Sequence, residues 1–525
     1  MGDNDTRTDA KRLALLDAKR IALEKAGTYL ESVTEIKSLQ VSRDELKAFT
    51  AGIVEVLEQD ATSTMEGQQQ VVRVNTTVKI DTGVVTRQIS ALRENELAKA
   101  ELIRLRAEKE QLRQEVEAKT RELATLKSKA EAEPIIQQRQ YAMNRLEARA
   151  LLAQAFTVLF GSKEGGVLGD STVEARNTAK ALSEQVLAYD PANADAYRLR
   201  GTVHLEDKNP QAALVEFREA IRLKPNDPLA HTALGVALRQ KGDLDGAIAE
   251  IRLAIRLEPK YFASHVNLAA VLGDQGKWAE VIEELRIALR LKPDLHAIAA
   301  IHQGLGTALD AMGDHAGAIE EYRTALRLKP DSAEVHNNLG ATLAKLDDSG
   351  EAIKEYRVAL RLKPDYAEAH FNLGLALARN GDLEGATAAY RAAVQLNPND
   401  ARFHSSLGLV LGAKGDLAGA VAEDRAALRL KPDDAHVHEQ LGDDLGATGD
   451  LNGAITEYRT ALRLRPENVR IHFALGLVLS LKGLDEQATQ EFENYLMKVP
   501  NTPENQKTIG EARDMLKELR GSPAR

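Results

Sequence analysis

The sequence predicts a mainly α fold, most of it an α-solenoid of paired helices, and two observations carry that expectation. The first is a proline ladder. Pro191, Pro225, Pro259 and Pro293 lie 34 residues apart, and after one step of 37 Pro330, Pro364, Pro398, Pro432, Pro466 and Pro500 resume the spacing. A fixed period of this length is the signature of a helical repeat array. The second is a set of small residues in register with it. Gly201, Gly235, Gly306, Gly340, Gly374, Gly408, Gly442 and Gly476 fall inside helical text, where each costs about 1 kcal/mol relative to alanine and so needs a packing reason. Ala213, Ala247, Ala318, Ala352, Ala386, Ala420, Ala454 and Ala488 supply a small facing surface in the paired helix. Such pairs bury their apolar stripes only against their neighbours and curl into a superhelix with a concave inner groove.

Aligned on Pro364, the unit from Ala333 reads AEVHNNLGATLAKLDDSGEAIKEYRVALRLKP, with Leu339 and Gly340 in its first helix and Ala352, Tyr356 and Ala359 in its second. Nine such units begin at Ala194, Pro228, Phe262, Ala299, Ala333, Ala367, Ala401, Ala435 and Val469. A large residue at position 4, Leu-Gly at 7 and 8, Ala at 20, an aromatic at 24, Ala at 27 and Pro at 32 resembles the tetratricopeptide repeat. The resemblance implies a right-handed superhelix that holds protein segments in its groove.

The elements divide into residues 1–87, a small α+β domain; 88–133, a charged coiled-coil helix; 134–193, a divergent helix pair; 194–501, the nine units; and 502–525, a capping helix and tail. In the first, Leu13, Ala14, Ala18, Ile21, Ala22 and Ala26 signal a helix from Thr8 that stops at Gly27. Strand-like text spans Val33–Val41, a capping box at Ser42-Arg43-Asp44-Glu45 opens a short helix to Ala51, and Ile53–Asp60 with Val71–Asp81 read as a hairpin. Helix, strand, short helix and long hairpin, with text such as DAKRIALEKAGTYLES, resemble the N-terminal domain of a flagellar-assembly protein of the bacterial periplasm and related envelope lipoproteins. In the charged helix Leu102, Leu105, Leu112, Val116, Leu123 and Leu126 fall on a heptad seam interrupted by Lys109 and Lys119, and Pro134 closes it. That seam either joins two chains or packs on its own. Helices over Ile135–Phe160 and Thr172–Ala188, joined by GSKEGGVLGDS, read as a divergent first repeat, and Thr502–Leu519 as a C-terminal cap.

Composition sets bounds on function. With 525 residues, 43% apolar and 28% charged, the chain builds large cores in more than one domain. A net charge of −10 argues against nonspecific nucleic-acid binding, and the lack of cysteine excludes disulfides and thiolate chemistry. No apolar run is long enough to span a membrane, and no export signal opens the sequence. As written the chain reads as cytoplasmic; an export signal upstream would place it in the periplasm or envelope.

Three features carry candidate chemistry. His231, His265, His302, His336, His370, His404, His438 and His472 all occupy position 4. Equivalent atoms in successive units sit on the order of 10 Å apart, too far for one metal, so they read as half-buried packing residues with one ring nitrogen bonded; protonation near pH 6 is expected to loosen them. On the second helix, arginines at positions 25 and 29 follow glutamates at position 23, which reads as a solvated outer face. In the groove, position 5 varies from unit to unit, Asn267, Asn337, Asn338 and Asn372 are placed to grip a peptide backbone, and Phe371 and Phe473 are apolar anchors. No catalytic constellation, metal site or cofactor motif is apparent. The expected function is a noncatalytic scaffold or adaptor for a protein or peptide client, oligomerised or docked through its N-terminal half. The alternative is a self-assembling structural protein, a homo-oligomer built by repeat-to-repeat contacts.

Overall fold

The computed structural model describes residues 7–32, 46, 49–50, 55–66, 69–80, 85, 88–89, 96–126, 128–161, 172–293 and 295–521. Two compact units divide the chain, Met1–Ala308 and Leu309–Arg525. Among the described residues no helix is long and apolar enough to cross a membrane.

The first unit opens with helix α1, Arg7–Ser32, and an antiparallel hairpin of β1, Glu55–Glu66, and β2, Gln69–Lys79. Helix α1 runs through Gly27, the expected stop. Leu30 beyond it is 0% exposed and packs in one cluster with Leu46 and Phe49. Burying a leucine stabilises by roughly 1.5–3 kcal/mol, which outweighs the glycine's cost of about 1 kcal/mol. The strand expected at Val33–Val41 and most of the short helix after it lie outside the described residues.

Helices α2, Glu96–Thr125, and α3, Lys129–Gly161, form a long helical hairpin. Leu126 and Ser128 lie outside both helices, and Pro134 lies inside α3, where it removes one intrahelical bond without ending the helix. The stripe runs from Ala132 before it through Ala142, Met143 and Leu146 beyond it, all buried. The heptad seam is consumed within the chain. Leu102 and Leu105, each 1% exposed, share a core with Leu152, Phe156 and Leu159, and Val116 packs on Ala142, Met143 and, from α1, Leu13 and Leu16. Leu112 and Leu123 are buried as well, and Leu126 is half-buried. Along this stretch the seam leucines pack against their own chain. Lys109, half-buried beside Lys19, is held below the usual lysine range by desolvation and then by the like charge.

Helix α4, Val173–Tyr189, is capped by Thr172, whose hydroxyl accepts from the Ala175 amide at 3.1 Å, and packs on α3 as a divergent pair. Repeats follow as α5, Ala194–Glu206, α6, Pro210–Leu223, α7, Pro228–Gln240, α8, Leu244–Leu257, α9, Phe262–Asp274, and α10, Trp278–Arg290. A buried ion network ties α2 to the first of them. Arg198 Nη2 donates to Glu101 Oε1 at 2.8 Å, Arg104 Nη2 to Asp195 Oδ2 at 2.7 Å, and the Arg198 guanidinium lies 5.5 Å from the Phe156 ring centroid. Desolvation opposes the Asp195 charge, but Arg198 and Arg104 win and hold its carboxyl well below the usual range.

The 37-residue step lengthens α11, Leu295–Ala311, which starts before the expected Ala299. In the second unit lie α12, His315–Leu328, α13, Ala333–Lys345, α14, Ser349–Leu362, α15, Ala367–Arg379, α16, Leu383–Leu396, α17, Ala401–Ala413, and α18, Leu417–Leu430. They are followed by α19, Ala435–Thr448, α20, Leu451–Leu464, α21, Val469–Leu481, α22, Asp485–Lys498, and α23, Gln506–Gly521. Aspartates open many of the helices: Asp243, Asp314, Asp382, Asp416 and Asp450 each accept from the amide three residues on. The turn inside each pair needs a left-handed residue, which Gly381 (φ 80°) and Gly415 (φ 83°) provide. Alanines at position 20, among them Ala352, Ala386, Ala420 and Ala454, are 0% exposed, as the small facing surface required.

Candidate functional site on the first helices

Within each unit the first helices of successive repeats touch one another, as α5 with α7, α7 with α9, α13 with α15, and α19 with α21. Each second helix packs on its own partner and on the next first helix. First helices therefore line the inner side of the curve.

Position 4 sits at the root of that face. His231 Nδ1 lies 2.7 Å from Glu250 Oε2 and its Nε2 2.9 Å from the Pro225 carbonyl; His336, His404 and His438 repeat the bridge with Glu355, Glu423 and Glu457 on one side and Pro330, Pro398 and Pro432 on the other. Both ring nitrogens are engaged, where the sequence suggested one. Two acceptors facing the His336 imidazole favour its doubly protonated ring. At His336 desolvation opposes this, yet the Glu355 carboxylate and the Pro330 carbonyl hold the imidazole above its usual range, with Arg361 pulling against them. Protonation thus tightens this bridge, which reverses the expected loosening near pH 6. His370 keeps only its carbonyl, Pro364 at 3.0 Å, because Ala389 stands where the other units carry glutamate. His472 differs again: its Nδ1 faces Glu491 at 2.6 Å, while its Nε2 accepts from Lys498 Nζ at 3.1 Å. The position-23 glutamates Glu250, Glu284, Glu355, Glu423 and Glu457 accordingly belong to histidines rather than to an outer ladder of arginine pairs.

The groove residues separate into two kinds. Asn267 Nδ2 donates to its own helix at Ala263 O, 2.9 Å, and Asn372 Nδ2 donates to Asn337 Oδ1, 3.0 Å, across successive first helices. Asn337 is 5% exposed and its amide faces Asn338 Oδ1 at 3.5 Å, so these amides stitch repeats together. Phe371 is 8% exposed, stacked on Phe403 with centroids 4.9 Å apart; Phe473, half-buried, packs on Phe492 and Tyr495. What the inner face presents to solvent is different: Leu375 (36%) and Leu409 (54%) at position 9. Beside them Arg402, over the Phe371 and Phe403 rings at 5.4 Å, pairs with Glu368 and Asp400, and Arg470 pairs with Glu439 and Asp443. Sequence reasoning named position 5; the exposed row is position 9, legible only once the helix phase is known.

Residues 168–228, 209–262 and 232–296 match the family model described as the tetratricopeptide repeat, and residues 297–512 match the model of the C-terminal domain of cilia and flagella-associated protein 70. The array is built of tetratricopeptide repeats. Both matches lie C-terminal to residues 1–87, so the proposed likeness of that segment to envelope proteins draws no support from them. No curated protein matches the chain. Among solved structures, a MamA protein is 24% identical over 33% of this chain and 94% of its own, with a TM-score of 0.31. Pseudomonas aeruginosa PilF is 22% identical over 41% and 96%, with a TM-score of 0.37. A chain of the APC/C hetero-tetramer Cut9-Hcn1 is 15% identical over 74% and 94%, with a TM-score of 0.38.

Proposed function

We propose that this tetratricopeptide-repeat chain is a noncatalytic scaffold that holds a protein segment on the inner face of residues 309–525. The observation that carries the reading is the exposed pair Leu375 and Leu409 at one register of successive first helices, bordered by Arg402, Glu368, Asp443 and Arg470. Solenoids use such concave surfaces to hold extended partners, and two apolar side chains flanked by both signs of charge suit a segment with apolar anchors and mixed charges. Asn337, Asn338, Asn372 and Phe371 support that face from below. Asn267 has the same place in the first unit, and Phe473 in the last repeat.

The N-terminal hairpin, braced on the first repeat by Arg198 and Glu101, docks the array rather than dimerising it through its leucines. A second reading, assembly between copies, is favoured by one observation: Leu328, Leu362, Leu396, Leu430 and Leu464 are 36–42% exposed at one register of the second helices. Cross-linked capture from native cells with the full chain as bait separates the two. A distinct protein recovered by the wild type and lost by the Leu375→Asp, Leu409→Asp double variant supports the scaffold. Recovery of this chain alone, by both baits, supports assembly.

A further inference from the structure

In most repeats position 24 lays a large apolar side chain over the glycine at position 8: Phe217 over Gly201, Tyr356 over Gly340, Tyr390 over Gly374, Tyr458 over Gly442 and Phe492 over Gly476. The unit from Ala401 departs from this. Asp424, 0% exposed, takes the aromatic's place over Gly408. A second acid reaches the same layer from the next unit: Asp444, 8% exposed, stands where Val410 and Val478 stand in the flanking units, against Gly412. Gln440, 7% exposed, joins them, its Nε2 donating to Asp424 Oδ1 at 2.8 Å and to the Ser405 carbonyl at 3.1 Å.

Three oxygens there, Asp424 Oδ2, Asp444 Oδ2 and Gln440 Oε1, accept no hydrogen bond from the protein. Two carboxylates in a layer that is apolar in the neighbouring repeats cannot both stay ionised. The charged groups acting on them are further carboxylates. Glu423 on α18 is bound to His404, and Asp443 on α19 accepts from Tyr458 Oη at 2.6 Å and Arg470 Nη2 at 2.8 Å.

We propose that Asp424 and Asp444 form a carboxylic acid–carboxylate pair whose shared proton locks the unit from Ala401 to the unit from Ala435, making this joint the one that opens when the proton is lost. Desolvation, then the Asp444 charge, pushes Asp424 up to about 8; desolvation, then the Asp443 charge, pushes Asp444 up to about 6 against a hydrogen bond with Asp424 that lowers it. The direction follows. A carboxyl raised in the folded state holds a proton that the opened chain releases, so the joint is firm in acid and weakens as pH rises through about 8. For one proton the opening constant grows about tenfold per pH unit between about pH 5 and 8. This inference is independent of which segment the inner face holds.

Hydrogen exchange on the full chain tests it, with intrinsic exchange rates divided out and amides of residues 401–450 followed from pH 5.5 to 8.5. The comparison is Asp424→Asn, which carries a donor permanently in place of the shared proton. Wild-type protection is expected to fall about tenfold per pH unit relative to the variant, with no difference between the two at residues 333–362. Equal slopes in 401–450 overturn the proposal. Infrared spectra of wild-type protein with labelled aspartate give a reading that needs no variant: a protonated carboxyl band persisting at pH 6.5 is expected, and its absence refutes the pair. A wild-type slope that changes with added sodium or calcium would put a metal cation, not a proton, between the acids and equally overturn it.

Discussion

Adding one methyl group at Gly374 should destabilise the array, although alanine is the better helix former. A Cβ built there comes 2.6 Å from Tyr390 Cε1, 2.7 Å from Cδ1 and 3.0 Å from Cζ, well inside the 3.5–4.0 Å of an ordinary carbon contact. The tyrosine cannot step aside freely, since it is 2% exposed and its ring packs on Phe371 with centroids 5.8 Å apart. Overpacking of this kind costs about 1–3 kcal/mol. Replacing glycine by alanine inside a helix returns about 1 kcal/mol. The expected net loss for Gly374→Ala is therefore about 0–2 kcal/mol, local to residues 367–397. Gly510 is the control: it lies in α23 with nothing within 4 Å of an added Cβ, so Gly510→Ala should stabilise by up to about 1 kcal/mol. Hydrogen exchange reads both locally, which matters because a repeat array need not unfold in one step. A Gly374→Ala that stabilises as Gly510→Ala does, or a destabilising Gly510→Ala, would refute the claim that glycine is chosen for close approach of the paired helix.

Three further outcomes follow from named contacts. His336→Gln should cost stability most in acid: the folded imidazole is raised, so its contribution is full below about pH 6.5 and fades as pH rises through the folded value; thermal melts of both proteins at pH 5.5 and 8.5 give the difference, which must shrink toward pH 8.5. Lys109→Met should stabilise the α2–α3 hairpin, since it removes an ammonium held half-buried beside Lys19; a lower denaturation midpoint would contradict this. Arg198→Met leaves the buried Glu101 and Asp195 with Arg104 in place of two arginines, a loss below the about 3–5 kcal/mol of a fully orphaned buried charge, and should expose the hairpin to limited proteolysis ahead of the repeats.

The repeats were legible because their punctuation is chemical. Helices begin at Pro228, Phe262, Ala333, Ala367, Ala401, Ala435 and Val469 as read; capping residues such as Asp227, Ser332 and Asp400 fix several of these boundaries locally, and the proline period gives the rest. The pairing of histidine with glutamate was not read, although both ladders were visible. They stand 19 residues apart on facing helices, and only the interhelical phase brings His336 to Glu355. Packing likewise decided the N-terminal half. Leu30 carries α1 past Gly27, and the seam from Leu102 to Leu123 found its partner in α3, a distinction that heptads alone do not make. Asp424 and Asp444 lie 20 residues apart in ordinary polar text, so nothing in the period announces that both turn inward.

The most direct test of the scaffold reading places a photoreactive residue at position 409 on the first-helix face in one protein and at position 425 on a second helix in another, both in the full chain within native cells. The account predicts a client cross-linked from position 409 and none from position 425. Cross-links only from position 425, or only to other copies of this chain, would contradict it.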